Sequence, residues 1–137
     1  MDELFQRIET NFKKQGLMKT LNASLDTVEK GRVQISSEFD GSQSQQHGYF
    51  HAGAITSIVD SACGYAGLTM ATADKDVLAV EFKMNFLRPA NTKKIIAIGE
   101  VIKSGRTLTV CEGNVYNSSG EKLIARMTAT MILVEKK

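Results

Sequence analysis

"QQHGYFHAGAITSIVDSACGYAG", residues 45–67, decides how the rest of the chain folds. Ile55, Ile58, Val59, Ala62, Cys63, Ala66 and Met70 recur at i, i+3, i+4, i+7, i+8, i+11 and i+15, one continuous apolar stripe. That spacing predicts a long helix starting near Gly53 and fading near "TADKD". Asp60 lies off the stripe, on a face shared with Gly53, Ser57, Ser61 and Gly64. Small residues on a helix face let another backbone approach or leave a groove for a slim ligand. An acid in mid-helix has below-average helix propensity, and such local inconsistency tends to mark function.

Outward from the helix, residues 40–50 are polar and contain glycine, as a loop does. Upstream, Leu4, Phe5, Ile8 and Phe12 follow helical spacing, with Gly16 as a stop, which gives a short N-terminal helix. Residues 21–39 read as two strands turned at Gly31. Downstream, Leu78, Val80, Phe82, Met84 and Phe86 alternate with Ala79, Glu81, Lys83 and Asn85, a half-buried strand ended by Pro89. Strands follow at 93–103, 107–116 and 122–134, joined by short turns that imply antiparallel pairing. The expected fold is α+β: a curved antiparallel six-stranded sheet wrapped around one long central helix, with a short helix in front.

The bulk numbers fit one domain over residues 1–137. An apolar share of 42% and a charged share of 23% argue against disorder. A net charge of +2 is too small to argue for a nucleic-acid partner. Cys63 and Cys111 sit in apolar segments without metal-site spacing and read as reduced core thiols of a cytoplasmic protein. The start carries early acids and no apolar leader, and residues 52–71 are too polar and Gly-rich for a membrane span.

Chemistry enters at the helix start. "HAG" supplies no Ser, Thr, Asp or Asn cap, so several N–H groups need another partner unless Gly53 or His51 caps weakly. Such donors suit an anion or a polarised carbonyl oxygen. Asp60, about two turns on, suits a nucleophile or general base. On one helix the two lie ~10 Å apart, too far to act on one carbonyl. They converge only if two copies pack side by side, so a homodimer with sites at the subunit boundary is expected.

These residues, Gln45, then His-Ala-Gly at 51–53, then Asp60, with "VEFKMNFLRPA" and "SGRTLTV" downstream, resemble the hotdog-fold acyl-CoA thioesterases of the phenylacetate-degradation type. That group includes the 4-hydroxybenzoyl-CoA thioesterases and human thioesterase superfamily member 2. The resemblance covers about residues 40–134. It implies a hotdog fold, dimers sharing a twelve-stranded sheet, and often homotetramers. It implies hydrolysis of acyl-CoA, with coenzyme A present only as part of the substrate and no other cofactor. It places the catalytic carboxylate at Asp60 and the carbonyl-polarising N–H at Ala52. His51 would orient that loop or the sulfur end of the substrate, and Gln45 would help place the carbonyl or water. Gly53, Ser61 and Gly64 would border the substrate. Arg88, Lys103 and Arg106, at strand ends and turns, could meet the CoA phosphates, and Tyr65, Phe82 and Met84 the acyl group.

Three departures stand out: His-Ala-Gly replaces His-Gly-Gly, Gly64 stands where some relatives carry a water-holding hydroxyl, and Ala79 where some carry serine. Ser57 or Ser61 could replace the hydroxyl. A module that binds acyl-CoA without cleaving it is one rival reading. A metal hydrolase using His47 and His51 is another, though both lie in a loop and a third ligand is unclear. A hotdog hydratase needs a differently spaced Asp–His pair that this sequence lacks.

Overall fold

The computed structural model describes residues 2–137. Helices α1 (Glu3–Phe12) and α2 (Gly16–Thr20) lead into the hairpin β1 (Ala23–Glu29) and β2 (Arg32–Glu38). The long helix α3 (Ala52–Thr69) follows, then β3 (Lys75–Phe86), β4 (Lys94–Ser104), β5 (Leu108–Tyr116) and β6 (Leu123–Glu135). All six strands form one antiparallel sheet in the order β1-β2-β4-β5-β6-β3. The sheet wraps α3, as the apolar stripe requires: Ile55, Ile58, Val59, Ala62, Cys63 and Ala66 are buried, and only Met70 at the end is exposed. Among the described residues, no helix is long and apolar enough to cross a membrane.

Two glycines set how closely helix and sheet meet. Gly99 on β4 and Gly113 on β5 stand opposite each other in register. A Cβ on Gly99 would lie 2.4 Å from the Ala62 carbonyl carbon, and one on Gly113 would lie 2.4 Å from Val59 Cγ2. The helix therefore rests on bare backbone at this point. At its far end Arg7 of α1 donates to the Leu68 and Ala71 carbonyls, so a cation closes the C-terminus of α3.

Two expectations need correction. Gly16 does not simply stop α1; α1 ends at Phe12 and Gly16 opens α2. The strands joined by short turns pair antiparallel as expected, β4 with β5 and β5 with β6, while β3 lies at the far edge beside β6 and β4 joins β2. The segment between β3 and β4 is held by the Leu87 and Arg88 amides donating to the Ile124 carbonyl and by Phe50 N–H donating to the Ala90 carbonyl. Finally, β3 does not present one unbroken apolar face. A register shift between Ala79 and Glu81 changes its phase. Phe82, Met84 and Phe86 pair with the buried Ala129, Met127 and Ala125, so they share the inner face. Past the bulge Ala79 takes that face, opposite Met131, and Leu78 turns outward opposite Ile132.

The inner face at this edge is uncovered. Helix α3 packs chiefly across β4, β2 and β5. Phe82 and Phe86 consequently keep 45% and 48% of their surface exposed, although they point to the core side.

Candidate active site

The chain reaches α3 through a loop pinned by Gln43, a buried residue that no motif or spacing marks out. Its Nε2 shares its two hydrogens among the carbonyls of Glu38 (2.7 Å) and Leu21 (3.1 Å) and Ser37 Oγ (2.8 Å). Its Oε1 accepts from the Asp40 amide at 3.1 Å, and its carbonyl accepts from the His51 amide at 2.7 Å. A fully satisfied buried amide is a rigid peg, and this one fixes where the helix begins.

His51 is the N-cap. Its Nδ1 accepts from the Gly53 amide at 2.7 Å, with φ −66° and ψ 141°. The structure thus realises the weaker alternative at the helix start, a histidine cap, and one of the orphan N–H groups is already satisfied. A Cβ at residue 53 would sit 3.0 Å from that nitrogen, so glycine gives the imidazole its place. The Ala52 and Ala54 amides precede the first intrahelical donor, Ile55, whose N–H reaches the His51 carbonyl. Among the described residues, neither amide donates to an acceptor. They remain available to a ligand oxygen.

Ala52 opens into a cavity of about 300 Å³ with Gln45, Ile55, Phe86, Leu87 and Arg88. Gln45 Oε1 is engaged by the His47 and Tyr49 amides at 2.6 and 3.1 Å, which leaves its Nε2 as the side chain's remaining donor group. His51 and Gly53 border a different cavity of about 370 Å³, with Leu17, Gln43 and Ser57. Gln45 and Ala52 are therefore brought together, while His51 acts from the other side as the cap.

Asp60 stands about two turns further along α3. It is half-buried, and its Oδ1 is buried without a hydrogen-bond partner. Burial raises its pKa above the ordinary carboxylate value. Beside it, a Cβ on Gly64 would meet nothing within 4 Å, so open space adjoins the acid. Gly67, close to the same helix face, lies near Met131 and Thr109. The Asp60 face thus looks over β5 and β6, toward the uncovered inner side of β3.

The neighbouring hydroxyls turn elsewhere. Ser57 Oγ donates to the Gly53 carbonyl at 2.9 Å. Ser61 exchanges long contacts of 3.4 and 3.5 Å with the Gln15 side chain. Tyr65 Oη accepts from Gln15 at 2.8 Å and donates to Asn11 at 2.9 Å, with its ring 6.1 Å from Phe12. Ser61 and Tyr65 therefore serve the contact of α3 with α1 and the α1–α2 turn, which removes Tyr65 from the acyl-lining candidates. Neither serine hydroxyl is bonded to the acid.

The three expected phosphate-binding cations are not clustered. Arg88 lies at the α3 N-terminal end, with Nη1 donating to the Leu123 carbonyl at 2.7 Å. Lys103 and Arg106 are exposed at the β4–β5 turn. That turn lies toward the other end of α3, where Gly31 N–H meets Thr69 Oγ1 and the Gly31 carbonyl meets the Val101 amide.

Comparison with known proteins agrees with this fold. The thioesterase superfamily profile matches residues 47–124, the span from the loop before α3 into β6. A crystal structure of a thioesterase family protein from Silicibacter pomeroyi superposes with a TM-score of 0.92 at 41% identity, over 97% of this chain and 99% of that one. A Saccharolobus solfataricus protein named a "putative esterase" is 30% identical over 138 residues, covering 100% of this chain and 97% of its own. A 1,4-dihydroxy-2-naphthoyl-CoA hydrolase from Listeria monocytogenes is 25% identical over 122 residues, 89% of this chain and 98% of that one. With more than half its length inside the family profile and the helix–sheet geometry to match, this chain belongs to the thioesterase superfamily.

Proposed function

We propose that this protein hydrolyses acyl-CoA thioesters at a site completed by two subunits. The observation that carries the reading is Asp60: a carboxylate with a buried, unpartnered oxygen beside open space, on the same helix as the unengaged Ala52 amide. The Listeria relative, by its name, acts on an acyl-CoA, which supports that substrate class.

The Ala52 N–H, aided by the positive end of α3, would stabilise charge on the thioester oxygen. The Gln45 amide would donate to the same oxygen or to water. Asp60 would attack the carbonyl carbon or take a proton from attacking water. If Asp60 attacks, the C–S bond breaks to give CoA thiolate and an acyl–Asp60 anhydride, which water hydrolyses at the Asp60 carboxyl carbon, leaving the water oxygen in Asp60. If Asp60 is the base, the water oxygen goes to the released carboxylic acid. In both routes the thiolate takes up the proton that water gives. His51 would be a positioning residue that holds the amides in place through Gly53.

The separation of Ala52 from Asp60 calls for a second subunit. Strand β3 is a free edge with Phe82 and Phe86 uncovered on the inner side. Pairing of two β3 edges would satisfy that edge and set one subunit's helix tip against its partner's acid. Leu78 and Leu108, both opposite Ile132 on the outer face, are 59% and 46% exposed, a surface that a dimer of dimers would cover. Two buried, unpaired thiols suit a reducing compartment, so we place the enzyme in the cytoplasm.

A panel of acyl-CoAs scored by thiol release tests the reading. Asp60→Asn should cut turnover by at least about 10²-fold while the protein stays folded and assembled. Undiminished turnover by that variant would overturn the assignment. Single turnover in ¹⁸O-water separates the two roles of the acid, since label entering Asp60 marks it as nucleophile. Acyl-CoA binding without thiol release would instead favour a binding module, the reading that the turned-away Ser57 and Ser61 hydroxyls support.

A further inference from the structure

Two contacts fix where α3 lies over the sheet. A Cβ on Gly113 would strike Val59 Cγ2 at 2.4 Å, and one on Gly67 would lie 3.7 Å from Thr109 Cγ2 and 3.9 Å from Met131 Cγ. Gly113 pairs with Met127, which pairs with Met84. Thr109 pairs with Met131, which pairs with Ala79. One inward row lies between, made of Cys111, Ala129 and Phe82. The stretch of α3 from Asp60 to Ala66 therefore runs above the rows of Met84 and Phe82. Asp60, Gly64 and Gly67 fall within about 60° of one another around the helix, so they share the face turned to β6 and β3.

Space on that face closes along the helix. A Cβ on Gly64 would meet nothing within 4 Å, whereas Gly67 is buried against Thr109, Met131 and Cys111. Thr109 is itself fully buried, and its Oγ1 lies out of reach of solvent, so this end is sealed. The facing wall is apolar. Phe82 is exposed on the inner side, Met84 is half-buried, and Ala129, in register with Phe82, adds little bulk. Asp60, with its buried and unpartnered Oδ1, stands at the open end. Gly67 lies two helical turns further on, a rise of about 10 Å. A saturated chain gains about 1.3 Å per carbon, so about eight carbons fit between the acid and the sealed end.

Resting on the acyl-CoA reading above, we propose that Met131 and Thr109, packed against Gly67, form a floor that limits the length of the acyl group this chain takes. Straight chains up to about eight carbons fit above it, and longer ones strike it. Each methylene that enters the gap leaves water for Phe82 and Met84, and the thioether of Met84 adapts to its shape. A methylene beyond the floor gains no such burial, because Met131 and Thr109 belong to the packed core and cannot yield without strain. Gly64 keeps the way to the floor open.

Thiol release from butyryl-, octanoyl-, dodecanoyl- and palmitoyl-CoA by the full chain tests the floor. In the wild type kcat/KM should fall at least about tenfold from octanoyl to dodecanoyl. Gly64→Leu fills the open space with a better helix former and should move the preference from octanoyl to butyryl. Met131→Ala lowers the floor and should narrow the gap between octanoyl and dodecanoyl, with a melting curve to confirm that it folds. Wild-type turnover of dodecanoyl- or palmitoyl-CoA equal to that of octanoyl-CoA would overturn the floor, and so would an unchanged chain-length preference in Gly64→Leu. Calorimetry with the uncleavable S-butyl-, S-octyl- and S-dodecyl-CoA thioethers separates the floor from the hydrolysis. Affinity that drops beyond octyl, without thiol release from any thioester, keeps the floor and removes the hydrolase reading. Thiol release indifferent to chain length does the reverse.

Discussion

Gly99 and Gly113 face each other across β4 and β5, and both lie directly beneath α3. The two positions differ in what a methyl group would strike. At Gly99 it meets the backbone of Ala62 and Cys63, which cannot move without moving the helix. At Gly113 it meets the Val59 side chain at 2.4 Å and Cys63 Sγ at 2.9 Å, which can partly give way. Gly99→Ala should therefore cost more than Gly113→Ala, with about 1–3 kcal/mol for the milder case. Urea denaturation midpoints check the order, and equal stability of both variants with the wild type would contradict the packing described.

The cap at His51 predicts a separable pair of variants. His51→Ala removes the acceptor for the Gly53 amide and should lower stability by about 0.5–2 kcal/mol. His51→Asn restores a good capping side chain and should recover most of that loss. If His51 acts only by holding the helix start, turnover recovers along with stability; recovery of stability alone would give the imidazole a direct contact with substrate.

Asp60 should show opposite effects on activity and stability. Burial raises its pKa from the ordinary 3.8, so the folded state holds the proton more tightly than the unfolded chain does. Below 3.8 both states are protonated and no penalty exists. As pH rises through that value and the higher folded one, ionising Asp60 in the fold costs stability, and the full cost remains at neutral pH. Asp60→Asn should thus melt higher than wild type at pH 7, with the gain vanishing in acid. Thiol release, which needs the ionised acid, should fall on the acid side at a pH above the usual carboxylate range. Melting curves at three pH values and a pH–rate profile check both.

The two thiols are predicted to be silent in the folded protein. Burial, first of all, pushes Cys63 well above the ordinary thiol range and Cys111 up to about 11. Both are fully buried, and Cys111 Sγ faces the Cys63 carbonyl at 3.5 Å. Ellman's reagent at pH 8 should label neither until denaturant is added. Rapid native labelling would show that this part of the core opens.

Periodicity located α3 and, together with turn signals, the six strands, because burial against one partner forces period 3.6 or 2 on the side chains. The apolar stripe from Ile55 to Ala66 and the alternation of Ala125, Met127, Ala129 and Met131 are buried as their spacing requires. Asp60 was also legible, since an acid among small residues breaks the local pattern. What only the tertiary structure decided was anything set by contacts distant in sequence. The bulge in β3 shifts Phe82 relative to Leu78 through pairing with β6, and β3 itself leaves β4 for the far edge. Gln43 is a buried peg because Leu21, Ser37 and Glu38 happen to surround it, while Ser61 and Tyr65 turn to α1 because Gln15 and Asn11 await them. Local spacing encodes which face of an element is apolar; it carries no record of which polar groups from elsewhere in the chain will meet there.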